Sequence, residues 1–258
     1  MMAGGSIKSG RALKSVVKWP ALPVRDFFAA LEACLVDRRP LCVFAILFSA
    51  VLSWWVYVPL HELLHALGCV MAGGRVERLE ISGIYGASLL KKAFPFIAVG
   101  SDYSGRLTGF DTGGSDVTFF VTDFMPYVLT IFFGVPLIKS IPSLKSSSLF
   151  KSICFGIAGP FAYAPFMSVF GDYYEMGSIL VSRPASSGLT AVNADRWRSD
   201  DLFRLVDKLS ASQTVPRAFD AAVVISSLLV GVILLLATYW GGALFSRALA
   251  GRKKGSPS

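Results

Sequence analysis

The residues best suited to chemistry in this sequence form the run His61-Glu62-Leu63-Leu64-His65. Residues four apart share one face of a helix, so both imidazoles can reach one metal ion. Zinc accepts neutral imidazole nitrogens and is satisfied by four ligands. In this motif the glutamate is not a ligand but the general base that takes a proton from water. The spacing therefore predicts a zinc site with hydrolytic chemistry.

The setting of the motif argues against two ordinary core histidines. The chain has 258 residues and two histidines, and both histidines lie in the motif. Residues 41–60 before it and 66–71 after it carry no charged side chain. An ionisable group in such apolar sequence is costly to bury unless it is paired or binds a metal. We therefore expect His61 and His65 to be metal ligands.

Composition places the chain among membrane proteins. Charged residues make up 16% of the sequence and hydrophobic residues 53%, whereas soluble domains carry roughly a quarter charged residues. The net charge of +8 is spread through loops and ends. That pattern favours membrane orientation and lipid contact over nucleic-acid binding. The cysteines are widely spaced and form no Cys-x-x-Cys pair, so they predict buried thiols: Cys34, Cys42, Cys69 and Cys154.

Four apolar runs are long enough to cross a bilayer, which needs about 20 residues. They lie at about 41–60, 117–138, 152–170 and 219–244. The sequence thus predicts an all-α polytopic membrane protein with a basic tail and interfacial helix over 1–40. An integral membrane domain carrying the metal site follows over 41–245, and a second basic tail covers 246–258.

Three shorter stretches have patterns of their own. Between 23 and 36, one helical face would be wholly apolar, which fits a membrane-surface helix or packing against other helices: Val24, Phe27, Phe28, Leu31 and Leu35. Residues 75–116 are Gly-rich and predict a small membrane-associated region of one or two β-hairpins after the metal-binding helix. Ser199 is expected to cap an amphipathic helix over about 200–209.

The basic residues also orient the predicted spans. Somewhat more Lys and Arg residues precede the first span, join the second to the third and follow the fourth than occupy the other two loops. By the positive-inside rule, this favours cytoplasmic termini. We expect a multi-pass protein of the cell (inner) membrane with both termini in the cytoplasm.

A third ligand must come from a carboxylate or a cysteine, since no further histidine exists. The first and third spans run in the same direction, so the motif and the end of the third span reach similar depths. Asp172 is therefore the preferred ligand, with Glu175 as the alternative ligand or as a residue that orients one. Asp123 could also bind the metal but is expected to line a wet cavity. Ordinary interfacial acids are the competing interpretation of Asp172 and Glu175.

These features resemble the site-2-protease-like intramembrane zinc metalloproteases. The resemblance covers roughly residues 55–175 and rests on HELLHAL at 61–67, AGGRV at 72–76, ISGI at 81–84 and AGP at 158–160. The chain departs from the family in two places. Tyr163 stands where the family often has Asn. The third-ligand candidate lies in Phe170-Gly171-Asp172, whereas the family usually has Leu-Asp-Gly.

The resemblance implies hydrolysis of a peptide bond in or near a transmembrane segment of a membrane-protein substrate, with zinc and Glu62 acting on a water molecule. Tyr163 would then be a cavity-lining residue. A divalent-metal transporter is one alternative, but it would need further ligands on a second helix. A non-proteolytic scaffold with a structural zinc is another, although structural zinc usually has four protein ligands.

Overall fold

The computed structural model describes residues 19–187, 193–212 and 215–254. Most of the N-terminal basic tail (1–18) and residues 255–258 of the C-terminal tail lie outside the described residues. The α-helices are α1 (Leu22–Leu35), α2 (Pro40–Met71), α3 (Ala87–Ala93), α4 (Asp116–Phe124), α5 (Val135–Ser140), α6 (Ser148–Met167), α7 (Asp172–Ser186), α8 (Leu202–Ala211) and α9 (Arg217–Lys254). The strands are β1 (Arg75–Ile81), β2 (Ile97–Val99) and β3 (Gly105–Asp111).

Within the described residues, four helical segments are long and apolar enough to cross a membrane: Pro40–Met71, Asp116–Ser143, Ser148–Ser186 and Arg217–Gly251. This confirms the predicted helical class and the predicted number of membrane-capable segments. The first segment is longer than expected, because α2 continues through Pro59 to Met71 as one helix. The metal motif therefore lies in the same helix as the first apolar run.

The second segment is a series of short helical pieces. After α4, a 3₁₀ turn (Met125–Tyr127) and a π-helical turn (Thr130–Gly134) lead into α5, and a further 3₁₀ turn covers Ile141–Ser143. Pro126 lacks the N–H that a continuous α-helix needs at that position. The irregular stretch turns Tyr127 into the protein interior, where its side chain is fully buried.

Helices α2 and α6 pack closely because small residues lie at their contact. A side-chain carbon on Gly156 would collide with Ser49, and Ser53 Oγ donates to Ile157 O at 2.7 Å. Small residues and interhelical hydroxyl bonds are typical of helix packing in membranes. This contact holds the helix with the histidines against the helix that leads to Asp172.

Helix α1 packs against the helix bundle through part of its apolar face. Phe27, Leu31 and Leu35 contact the buried cluster that α1 shares with α5, α6 and α9, while Val24 and Phe28 are exposed. At this end, Trp19 also lies against Trp240 of α9, with ring centroids 4.3 Å apart. The start of α1 and the C-terminal half of α9 are therefore in contact.

The region after α2 forms a three-stranded sheet in the order β2-β1-β3, rather than only hairpins. Strand β1 pairs antiparallel with β3 and parallel with β2, and α3 provides the crossover. Leu79, Ile81 and Ile97 are fully buried against Ala66 of α2. The side chain of Trp55 adds a hydrogen bond from Nε1 to Ile84 O at 2.6 Å. The sheet is thus fixed to the helix that carries the motif.

The described residues after the third predicted span include more helix than the sequence indicated. Helix α6 ends at Met167, and α7 begins at Asp172 after a short turn. The predicted cap of the following helix was wrong: α8 begins at Leu202, and Asp201 caps it by accepting from the N–H groups of Phe203 and Arg204. Ser199 Oγ instead donates to Asp201 O at 3.0 Å.

Candidate metal centre

Helix α2 presents His61 and His65 on one face, and each ring has its Nδ1 atom occupied. His65 Nδ1 lies 2.8 Å from Thr122 O, and His61 Nδ1 lies 2.8 Å from Tyr57 Oη. A carbonyl oxygen can only accept, so His65 Nδ1 carries the hydrogen and its Nε2 keeps a free lone pair. This is the arrangement that outer partners usually impose on metal-binding histidines.

The turn between α6 and α7 brings Asp172 to the same place. Gly171 N donates to Ser168 O at 3.1 Å, and Asp172 N donates to Ser168 Oγ at 3.2 Å. Asp172 is the first residue of α7, where the helix dipole favours a negative charge. The predicted convergence of Asp172 with the two histidines is therefore seen in the structure.

The three candidate ligand atoms have the spacing that a small tetrahedral ion requires. The two Nε2 atoms are 3.0 Å apart, and Asp172 Oδ2 lies 3.3 Å from His61 Nε2 and 3.5 Å from His65 Nε2. Ligands about 2.0–2.1 Å from a tetrahedral zinc are about 3.3 Å from one another. The two His–Asp distances exceed the range of about 2.7–2.9 Å expected of charged hydrogen bonds. The group His61, His65 and Asp172 could therefore hold a metal ion.

Two tyrosines surround this triad and were not predicted as site residues. Tyr127 Oη donates to Asp172 Oδ2 at 2.5 Å, and Tyr57 contacts His61. Tyr57 precedes His61 by four residues, so helical spacing alone could have identified it. Nothing in the sequence pairs Tyr127 with Asp172, because the contact joins residues 45 positions apart.

Glu62 lies beside the triad and is packed against β3. Its side chain is buried and lines the same cavity as both histidines. Gly105 starts β3 at this point, and a side-chain carbon there would overlap Glu62 Cγ and lie 3.0 Å from Glu62 Oε1. The absence of a side chain at Gly105 therefore leaves room for the predicted general base.

The cavity around the triad has a volume of about 760 Å³ and lies between α2, α4, β3 and α7. Asp123 and Glu175 line it, as Asp200 does. Asp123 is 5% exposed, and no described residue makes a hydrogen bond to its Oδ2 atom. Asp123, which was predicted to line a wet cavity, thus lines the cavity that contains the triad.

Tyr163 is not brought to this cavity. Its hydroxyl donates to Pro23 O at 3.1 Å, and its ring packs against Phe27 and Tyr239. Ala164, the next residue of α6, does line the cavity. Successive helical residues point about 100° apart, so Tyr163 faces α1 and α9 instead.

An ion-pair network lies at the edge of the cavity, outside the four membrane-capable segments. Arg106 binds Asp200 through Nε at 2.6 Å and Nη2 at 2.8 Å, and Tyr103 Oη donates to Asp201 Oδ2 at 3.0 Å. Burial disfavours the charge on Arg106, but Asp200 outweighs it and raises the pKa of Arg106. Burial and the bond to Asp201 raise the pKa of Tyr103, so its hydroxyl stays a donor at neutral pH.

Comparison with known proteins gives no relative: no family model, curated protein or solved structure matches the chain.

Proposed function

We propose that this protein is an intramembrane zinc metalloprotease whose ion is held by His61, His65 and Asp172. The observation that carries the proposal is the tetrahedral spacing of these three atoms beside the buried Glu62. Three protein ligands leave one coordination position open, as in catalytic zinc sites. A structural site would usually be closed by a fourth protein ligand, which favours hydrolysis over the scaffold alternative.

The residues around the triad have separate roles in this proposal. Bound zinc would act as a Lewis acid and lower the pKa of a water molecule to about 7. Glu62 would accept a proton from a water molecule as the water oxygen bonds to the scissile carbonyl carbon, and would pass that proton to the amine nitrogen as the C–N bond breaks. Thr122 and Tyr57 hold the two imidazoles in position, and Tyr127 orients Asp172. The cavity supplies room for the substrate and for water.

The proposal places the helix bundle in the cell membrane with both termini in the cytoplasm. The four apolar segments support insertion by their length and composition. Four spans put both termini on one side of the membrane, and the distribution of Lys and Arg favours the cytoplasmic side. Cysteines introduced at Ser101 and Ser187 should then react with an impermeant maleimide from the opposite side only. Reaction of both from the cytoplasm would invert the orientation.

The open edge of β3 provides a place for an unwound substrate. Among the described strands, β3 pairs only with β1, and Gly105, Leu107 and Thr108 line the cavity beside the triad. A substrate helix hides its carbonyl groups in its own hydrogen bonds, so it must unwind before hydrolysis. Backbone pairing with β3 could hold the unwound segment. The substrate class is thus a membrane protein with a locally extended segment.

The decisive experiment compares the purified protein with its Glu62→Gln variant in proteoliposomes that contain single-span membrane proteins. Zinc content is measured by mass spectrometry and cleavage by gel and peptide mapping. We expect bound zinc in both proteins and cleavage by the unsubstituted protein alone. Glu77→Gln, at an exposed position on β1, serves as the matched control and should cleave normally.

Two results would overturn the proposal. Equal cleavage by the Glu62→Gln variant would remove Glu62 as the base. Failure of the unsubstituted protein to bind zinc would rule out the proposed metal centre.

A further inference from the structure

The walls of the metal cavity are joined at its edge by the bidentate pair of Arg106 and Asp200. Arg106 belongs to β3, and Asp200 precedes α8. Both line the cavity. Their side chains are 37% and 32% exposed, compared with 14%, 10% and 17% for His61, His65 and Asp172. The pair is therefore the more solvent-accessible part of the cavity lining.

Each partner is fixed to a different part of the centre. On one side, Arg106 directly follows Gly105, which contacts Glu62. On the other side, Leu202 N donates to Phe170 O at 3.0 Å, and a side-chain carbon at Gly171 would lie 3.2 Å from Asp200 O. The segment with Asp200 therefore sits directly on the turn that carries Asp172. Separation of Arg106 from Asp200 would part β3 from this turn.

A smaller set of contacts accompanies the pair. Tyr103 Oη donates to Asp201 Oδ2, and the guanidinium groups of Arg106 and Arg204 lie over the Tyr103 ring at 5.4 and 5.1 Å. Partly exposed ion pairs and cation–π contacts are individually weak. A connection made of such contacts can break and re-form much more readily than the buried helix contacts around it.

We propose that the Arg106–Asp200 pair controls access to the metal centre, by closing the gap between β3 and the α6–α7 turn until a ligand enters. Gly105, Arg106 and Leu107 of β3 line the cavity, so an extended polypeptide that pairs with β3 there would have to separate Arg106 from Asp200. The proposal uses the metal centre of the proposed function, but it does not depend on proteolysis.

The test measures how quickly zinc leaves and enters the full-length protein. Zinc loss is followed with a chromogenic pyridylazo chelator, zinc uptake by the metal-free protein is followed separately, and the equilibrium Kd is determined by competition. For Asp200→Asn we expect loss and uptake to accelerate together by about two- to fivefold, with an unchanged Kd. The exchange of charges in Arg106→Asp/Asp200→Arg should restore slow exchange. Arg183→Gln breaks a similar pair with Asp116 outside this cavity and should change neither rate.

A second readout needs neither zinc nor activity. Ala164 is 4% exposed and lines the cavity, so Ala164→Cys places a small reporter thiol behind the pair. A bulky maleimide should modify this thiol several-fold faster when Asp200→Asn is added. The variant without Ala164→Cys measures the background from the native cysteines.

The outcomes separate the two proposals. Faster zinc loss with a proportionally weaker Kd would mean that the pair only supports the ligand geometry. Unchanged rates would mean that the pair does not lie on the path by which zinc enters and leaves. Either result overturns access control. If the protein binds no zinc, the proposed function fails, and the reporter thiol alone decides whether the pair closes the cavity.

Discussion

The two ends of the helix bundle both bury carboxylates, but they satisfy them differently. At the end formed by α1, α5 and α9, Asp26 is 8% exposed and accepts from Lys139 Nζ at 2.9 Å, with Tyr239 Oη at 3.5 Å. Around the cavity, Glu62, Asp123, Asp172, Glu175 and Asp200 converge, while Arg106 is the one Lys or Arg among the described residues that line it. One end contains a matched ion pair, and the other contains an excess of acidic groups.

A further buried acid, outside the cavity, is matched in the same way as Asp26. Asp220 is 4% exposed and accepts from Arg196 through two nitrogens, at 3.0 and 2.7 Å, and from Trp197 Nε1 at 2.8 Å. Buried carboxylates with complete partners are structural. The unmatched acids, in contrast, occur where two imidazole Nε2 atoms also converge. This contrast indicates a centre built to receive a cation.

The largest effect should follow from removal of the proposed third ligand. Asp172→Ala should lose zinc and all cleavage, because two imidazoles remain as ligands. Glu175→Ala removes a cavity-lining acid that is not part of the triad, so we expect zinc to remain and any loss to stay within about 10–100-fold. Metal analysis and the proteoliposome assay measure both. The reverse pattern would transfer the ligand role to Glu175.

A substitution next to the proposed base should have a smaller effect. Gly105→Ala places a carbon against Glu62 Cγ and must displace that side chain, whereas the triad is not touched. A misplacement of about 1 Å can reduce turnover by about 100-fold. We therefore expect a loss of that order in cleavage rate with full zinc content. Gly83→Ala is the control, since its added carbon would meet only Val99 at 4.0 Å.

The site residues differ in how far they could be predicted, because some are related by spacing within a helix and others only by tertiary contacts. His61, Glu62 and His65 follow from helical spacing, and the approach of Asp172 follows from the common direction of two spans. Thr122, Gly105 and Asp200 reach the site through tertiary contacts that no sequence spacing encodes. The placement of Tyr163 required the rotation of α6 about its axis, which packing against α1 and α9 determines.

The secondary-structure elements divide in the same way, into those that local sequence predicts and those that depend on tertiary contacts. The long apolar runs predicted the four membrane-capable helices because about 20 uninterrupted apolar residues are a strong signal. The mixed sheet was only partly predicted, since the pairing of β1 with β2 is parallel and depends on the α3 crossover. Asp201 rather than Ser199 caps α8 because the helix begins two residues later than its amphipathic pattern indicated.

A substitution at the end formed by α1, α5 and α9 should lower the stability of the protein without changing zinc binding. Asp26→Asn leaves Lys139 without its carboxylate partner in a mostly buried setting, where the two side chains are 9% and 17% exposed. Breaking a buried pair costs about 3–5 kcal/mol, and partial exposure of Lys139 places this pair near the lower limit. Equilibrium unfolding in mixed micelles should show that loss, while zinc binding remains normal. The double variant Asp26→Asn/Lys139→Gln should recover part of it.

The smallest effect on stability is expected at Asp123, and it is the sharpest comparison with Asp26. Both acids are buried, but Asp123 Oδ2 receives no hydrogen bond from the described residues. Asp123→Asn therefore removes no ion pair and relieves the crowding of acidic groups around the cavity. An unsatisfied buried polar atom costs about 1–3 kcal/mol, and the amide keeps one such atom. The free energy of unfolding should thus change by less than about 1 kcal/mol, with any change being a gain. If Asp123→Asn destabilised the metal-free protein as strongly as Asp26→Asn does, the cavity acids would be structural like Asp26, and the contrast between the two ends would be lost.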